Sequence, residues 1–106
     1  MGMTITVQEL KQRLDKGDKI LLVDVREPWE FNTAKIPGAM LIPLATLPQS
    51  LDKLDKNAEI VCSCHKGMRS HDATVFLHQQ GYKNVKNLVG GIDAWSTQID
   101  PGVPRY

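Results

Sequence analysis

The chain has 106 residues, room for one domain around one modest core, and its 13 basic and 12 acidic residues leave a formal net charge of +1. So even a balance argues against non-specific nucleic-acid binding or polybasic membrane attachment as its main task. At 42% apolar and 24% charged residues the composition is that of an ordinary soluble globular protein; no apolar run nears the roughly 20 residues that span a bilayer, and no signal-peptide core is present, so a cytoplasmic location is expected.

Thr6-Val7-Gln8-Glu9 reads as a capping box, and Val7, Leu10 and Leu14 recur at helical spacing until Gly17. Ile20 to Val25 is apolar except for Asp24, which predicts a strand covered on both faces. Pro28 fits the first turn of a short helix through Trp29, Glu30 and Phe31. Pro37-Gly38 predicts a turn, and Met40 to Ile42 a short strand ended by Pro43. Leu44, Leu47, Leu51 and Leu54 form a helical stripe, with Pro48 separating two turns or bending them. Asp55-Lys56-Asn57 is a turn before a strand from Glu59 to Ser63. A helix from Ser70 to Gln80 then buries Ala73, Phe76 and Leu77 and stops at Gly81. Val85 to Val89 is the last inner strand, and Gly90-Gly91 leads into a helix carrying Trp95. Asp100 to Pro104 reads as a loop-like ending. There are no repeats and no internal linker, so residues 1–106 read as one α/β domain with a mainly parallel sheet flanked by helices.

The chemistry concentrates in Cys64-His65-Lys66-Gly67-Met68-Arg69-Ser70. A thiol stands where a buried strand stops, on a short loop that turns directly into a helix. Such a loop can aim several backbone N–H groups at one point, and the helix N-terminus adds partial positive charge there. Both favour thiolate over thiol and favour an anion bound beside it. Gly67 supplies a left-handed turn or a close backbone approach. Lys66 is either an attractant at the pocket mouth or a solvated surface lysine. Arg69 offers a fork of donors, for a substrate or for Asp24, whose carboxylate is costly to bury unpaired. Arg26 and Glu30 are expected to pair with each other or with nearby groups. Cys62 lies inside the strand as an inert core residue, and Trp29 and Trp95 are assigned to packing. His71 and His78 carry no signal.

Cys62 and Cys64 are one residue apart, too close along a strand for an unstrained disulfide. Cys62-x-Cys64-His65 has no second pair at zinc-like spacing, so no metal is expected. Met1-Gly2 with Thr6 fits an N-myristoylation pattern, but nothing polybasic stands nearby and the match is read as chance.

Cys-x-x-Gly-x-Arg-Ser after a strand resembles the active-site loop of single-domain rhodaneses, the thiosulfate sulfurtransferases. Asp24-Val25-Arg26-Glu27 with Trp29-Glu30-Phe31 is similar to the first signature of that family. Gly90-Gly91-Ile92-Asp93-Ala94-Trp95 is similar to its C-terminal one, and Ile36-Pro37-Gly38-Ala39 falls between them in order. The likeness covers roughly Thr4 to Pro104. It departs at Ala34-Lys35-Ile36, where Gly-His-Ile is common, and at His65, where arginine is frequent. It implies a three-layer rhodanese-like sandwich with a mainly parallel five-stranded sheet, and a Cys64 persulfide formed without any cofactor. Sulfane sulfur would come from thiosulfate or a similar donor and pass to cyanide, a thiol or an acceptor protein. His65, Lys66, Gly67, Met68 and Arg69 would bind substrate, with Asp24 and Ser70 supporting the loop. The alternatives are a carrier dedicated to a protein partner, a Cdc25-like phosphatase or arsenate reductase, and a non-catalytic binding module. Four residues separate Cys64 from Arg69 where the phosphatase signature has five, and a shorter loop makes a smaller cradle.

Overall fold

The computed structural model describes residues 3–106, so Met1-Gly2 and the acylation pattern that begins there lie outside the described residues. Five strands, β1 (Thr4–Ile5), β2 (Leu21–Asp24), β3 (Met40–Leu41), β4 (Ile60–Ser63) and β5 (Val85–Leu88), form one sheet in the order β1-β5-β4-β2-β3. Every neighbouring pair is parallel, so the sheet is wholly rather than mainly parallel. The four helices are α1 (Val7–Asp15), α2 (Pro28–Thr33), α3 (Met68–Gln79) and α4 (Gly91–Gln98). No helix among the described residues is long and apolar enough to cross a membrane.

Strand residues alternate between two cores, as a period of two requires. Val23, Ile60 and Cys62 face one side, where Ala73 and Leu77 of α3 cover them. Leu22, Val61 and Leu88 face the other, under Leu10 of α1 and Ile92 and Trp95 of α4. Helices therefore lie on both faces, which makes the sandwich three-layered and explains why the inner strands read as continuous apolar runs. At the head of α1 the Glu9 amide donates to Thr6 Oγ1 at 3.1 Å and the Thr6 amide to Glu9 Oε1 at 2.9 Å, so the capping box forms as read.

Three expectations change. The leucine stripe from Leu44 to Leu54 forms two 3-10 turns, Leu44–Gln49 and Leu51–Lys53, closed by bonds such as Ser50 N–H to Leu47 at 3.0 Å. Pro48 has no N–H to give an α-helical ladder, and the three-residue steps Leu44–Leu47 and Leu51–Leu54 each suit a threefold period, with the four-residue step from Leu47 to Leu51 falling at the break between the two turns. Strand β1 was not foreseen, because two residues carry no periodicity; Thr4 and Ile5 pair with Asn87 and Leu88. Trp29 is 62% exposed rather than core, since it sits in the first turn of the six-residue α2, on the face turned from the sheet.

Strands β2 and β4 are neighbours at the centre, yet the chain leaves β2 toward β3 and leaves β4 toward β5, in opposite directions. A crevice opens where the connections diverge, at the C-terminal ends of these strands. Cys64 follows β4 at that point, and Val25 and Arg26 follow β2.

Candidate active site

Cys64 is 1% exposed, and two donors converge on its sulfur. The Gly67 amide lies 3.1 Å from Sγ and the Ser70 hydroxyl 3.2 Å from it. Gly67 has φ +111°, a backbone conformation that residues with a side chain rarely adopt, so glycine lets the loop turn this tightly. It is also the N-cap of α3, whose first turn starts at Met68, two residues before the expected start. Ser70 has a single proton and two partners, Sγ and Asn87 Oδ1 at 2.5 Å. When the proton goes to Asn87, the hydroxyl accepts from the thiol; when the sulfur is ionised, it donates to sulfur. The Asn87 amide donates in turn to the Gly67 carbonyl at 3.0 Å.

The outer side of the loop is held by α4. Ile92 N–H donates to the Cys64 carbonyl at 2.9 Å, and Asp93 N–H to the His65 carbonyl at 3.0 Å. A Cβ on Gly91 would collide with both carbonyls, which is the physical content of the Gly-Gly pair. A trans peptide carries its C=O and N–H on opposite sides, so this clasp turns the amides of His65 and Lys66 away from α4.

The ion pairs differ from the expected ones. Arg26 is fully buried and takes the Asp24 carboxylate through Nε at 2.9 Å and Nη2 at 2.6 Å. Two residues apart on an extended chain, the pair shares one side, and a buried guanidinium needs its nearest carboxylate. Asp24 is therefore not the partner of Arg69 and makes no side-chain bond to the Cys64–Ser70 loop. Arg69 instead forks onto Glu30, at 2.6 and 2.9 Å. Arg26 and Glu30 thus pair with nearby groups, one of the two expected outcomes, and are joined to each other only by Arg26 Nη1 donating to the Glu30 carbonyl at 3.4 Å. Hydrogen bonding from Arg69 holds the Glu30 carboxyl down to about 2, against the opposing effect of burial.

Two residues of the site escaped sequence reasoning. Asn87 was a polar residue inside a predicted inner strand, which is a signal for a buried polar role. Tyr106 had none, since no spacing links it to the loop. Its ring stacks on His65 with centroids 4.2 Å apart, and its hydroxyl accepts from Arg26 at 2.7 Å and donates to Glu30 at 2.8 Å. The His65 Nε2 atom is buried and makes no hydrogen bond among the described residues. Lys66 is exposed and Met68 is 83% exposed, so both border the approach rather than line a deep pocket. A cleft of about 350 Å³ lies against Gly67, Met68, His71, Asp72 and Asn87. A larger one of about 450 Å³, around Lys19, Leu21 and Glu59, lies at the opposite end of the strands from Cys64. Cys62 is free like Cys64, and burial pushes its thiol up to about 12. No cluster of three metal-ligating side chains occurs among the described residues.

Residues 6–98 match the Rhodanese-like domain family. The chain is 40% identical over 92 residues to a sulfurtransferase of Allochromatium vinosum, covering 87% of this chain and 86% of that protein. It is 39% identical over 107 residues to the probable adenylyltransferase/sulfurtransferase MoeZ of Mycobacterium tuberculosis; 99% of this chain aligns, but it spans only 27% of that relative. The crystal structure of a rhodanese-like domain protein from Staphylococcus aureus superimposes with a TM-score of 0.86 at 34% identity, covering 98% of each chain. The match runs from the cap of α1 to the last turn of α4. On that ground the chain belongs to the rhodanese-like sulfurtransferase family.

Proposed function

We propose that Cys64 carries sulfane sulfur as a persulfide. In the first step its thiolate attacks the outer sulfur of thiosulfate or a similar donor. A new S–S bond forms to Sγ, and the donor bond breaks with its electron pair leaving on sulfite or a thiolate. In the second step cyanide, a thiol or an acceptor protein attacks the outer sulfur, and the Cys64 thiolate leaves. The observation that carries this reading is the convergence of the Gly67 amide and the Ser70 hydroxyl on Sγ, which gives the sulfur partners without a separate base. Asn87 orients that hydroxyl, the α4 clasp fixes the loop, and Asp24 contributes only through Arg26 and Tyr106. His65, Lys66 and Met68 border the approach. Free thiols suit a reducing compartment, so a cytoplasmic location goes with the reading. A carrier serving a protein acceptor uses the same two steps.

Phosphate ester hydrolysis fits less well, because the loop is one residue shorter than the phosphatase signature and Arg69 is already bound to Glu30. The test is incubation with thiosulfate followed by intact-protein mass measurement. One added sulfur atom on the parent and none on Cys64→Ala is expected, together with negligible turnover of p-nitrophenyl phosphate. Cys64 left unloaded by thiosulfate and by a hydropersulfide alike, or Cys64-dependent phosphate release faster than sulfur transfer, overturns the assignment.

A further inference from the structure

Arg69 is the loop residue best suited by chemistry to an anionic donor, yet its charge is already taken. Both terminal nitrogens bind the Glu30 carboxylate, whose side chain is 5% exposed against 38% for Arg69. The Glu27 amide donates to the same carboxylate at 3.0 Å and Tyr106 at 2.8 Å. Tyr106 is itself fixed by Arg26 and by its stack on His65. A carboxylate held from three directions does not swing aside, and pulling Arg69 away would leave a buried charge without its counter-ion. Arg26 is committed to Asp24, and Arg105 to Asp93 at 3.0 Å. Of the lysine and arginine of the Cys64–Ser70 loop, only Lys66 makes no ion pair among the described residues.

The two classes of sulfane donor load this site differently. Attack on thiosulfate, Cys–S⁻ + S–SO₃²⁻ → Cys–S–S⁻ + SO₃²⁻, gathers three negative charges. Attack on an uncharged hydropersulfide, Cys–S⁻ + R–S–SH → Cys–S–SH + R–S⁻, gathers one. In both, one S–S bond forms and one breaks, the electron pair leaves on the departing group, and no oxidant is needed. The Gly67 amide and the head of α3 act on the sulfur itself in either case. The difference falls on the surrounding charge.

We propose that Glu30 determines donor specificity: by neutralising Arg69 it tunes the Cys64 site toward hydropersulfides and against dianionic thiosulfate. The proposal rests on the Cys64 carrier reading above. Its test separates the two by measuring single-turnover sulfur loading of Cys64 by intact mass, with thiosulfate and with 2-hydroxyethyl hydropersulfide. The quantity compared is the ratio of their second-order rate constants, so the intrinsic reactivity of each donor cancels between variants. Glu30→Gln frees one positive charge on the loop that carries the sulfur and should raise the thiosulfate-to-hydropersulfide ratio about tenfold, with a steeper fall on adding salt. Glu30→Gln combined with Arg69→Gln removes the neutral pair as a unit and should hold the ratio within about threefold of the parent. An unchanged or lower ratio in the single variant overturns the proposal. So does a tenfold loss in the double variant, which would mean that Arg69 receives thiosulfate in spite of Glu30. Should Glu30→Gln not fold, Glu30→Met takes its place in the same comparison, with the same rise in the ratio expected and an unchanged or lower ratio again overturning the proposal. If the parent takes sulfur from neither donor, the carrier reading falls and this proposal with it.

Discussion

Tyr106 brings together groups far apart in the chain: the buried Arg26, the Glu30 that holds Arg69, and the ring of His65. Its hydroxyl is pushed up by burial and stays protonated at neutral pH. Tyr106→Phe keeps the stack and deletes both hydrogen bonds. Because Arg26 and Glu30 are buried, the loss should cost about 1–2 kcal/mol, read from urea unfolding; an unshifted midpoint would show that the bonds contribute nothing. Cys62 makes the opposite case. A thiol pushed up to about 12 holds almost no thiolate at neutral pH, so Cys62→Ala should load sulfur within about threefold of the parent. Loss of loading in a folded variant would instead make Cys62 a resolving thiol. Cys64, Gly67 and Ser70 were legible in the sequence because they fall on one contiguous loop. The Arg69 partner was not, since Asp24 and Glu30 are both carboxylates near the same strand end, and only three-dimensional placement decides between them.

At the scale of elements, the working part of α4 is its first turn. Gly91 has φ +57°, and any side chain there meets the carbonyls of Cys64 and His65. Gly91→Ala combines backbone strain with a collision, so a stability loss of about 1–3 kcal/mol is expected. Sulfur loading should fall more than about tenfold, because a displaced loop no longer aims its donors. Full loading in this variant would mean that the clasp is dispensable. The sequence displayed the Gly-Gly pair but not its target, for nothing in the spacing says which loop a helix end will meet. The leucine stripe failed for a different reason. Its spacing fits two helical periods, and Pro48 selects the tighter one.

The molecule as a whole is organised by the divergence of the chain at β2 and β4, an order that the sequence did not display; what was readable is the covered parallel sheet, which alternating short strands and helices dictate. Only β1, too short to show a pattern, was missing. The same centre governs the response of the fold to acid. The carboxyl of Glu30 lies at about 2, below its ordinary 4.5, so its contribution to stability is complete above about 4.5 and disappears as pH falls through about 2. The full effect is on the order of 2–3 kcal/mol. Urea midpoints measured from pH 6 down to pH 2 should fall in the parent and fall less in Glu30→Gln. Parallel curves would show that the clamp adds nothing to the fold.

The amides of Ile92 and Asp93 are spent on carbonyls of another segment, so they can take up deuterium only when α4 and the loop part. They are therefore a built-in gauge of how tightly the sulfur-bearing loop is shut. It can be read by isotope exchange at two positions that leave Cys64 itself unlabelled and unaltered.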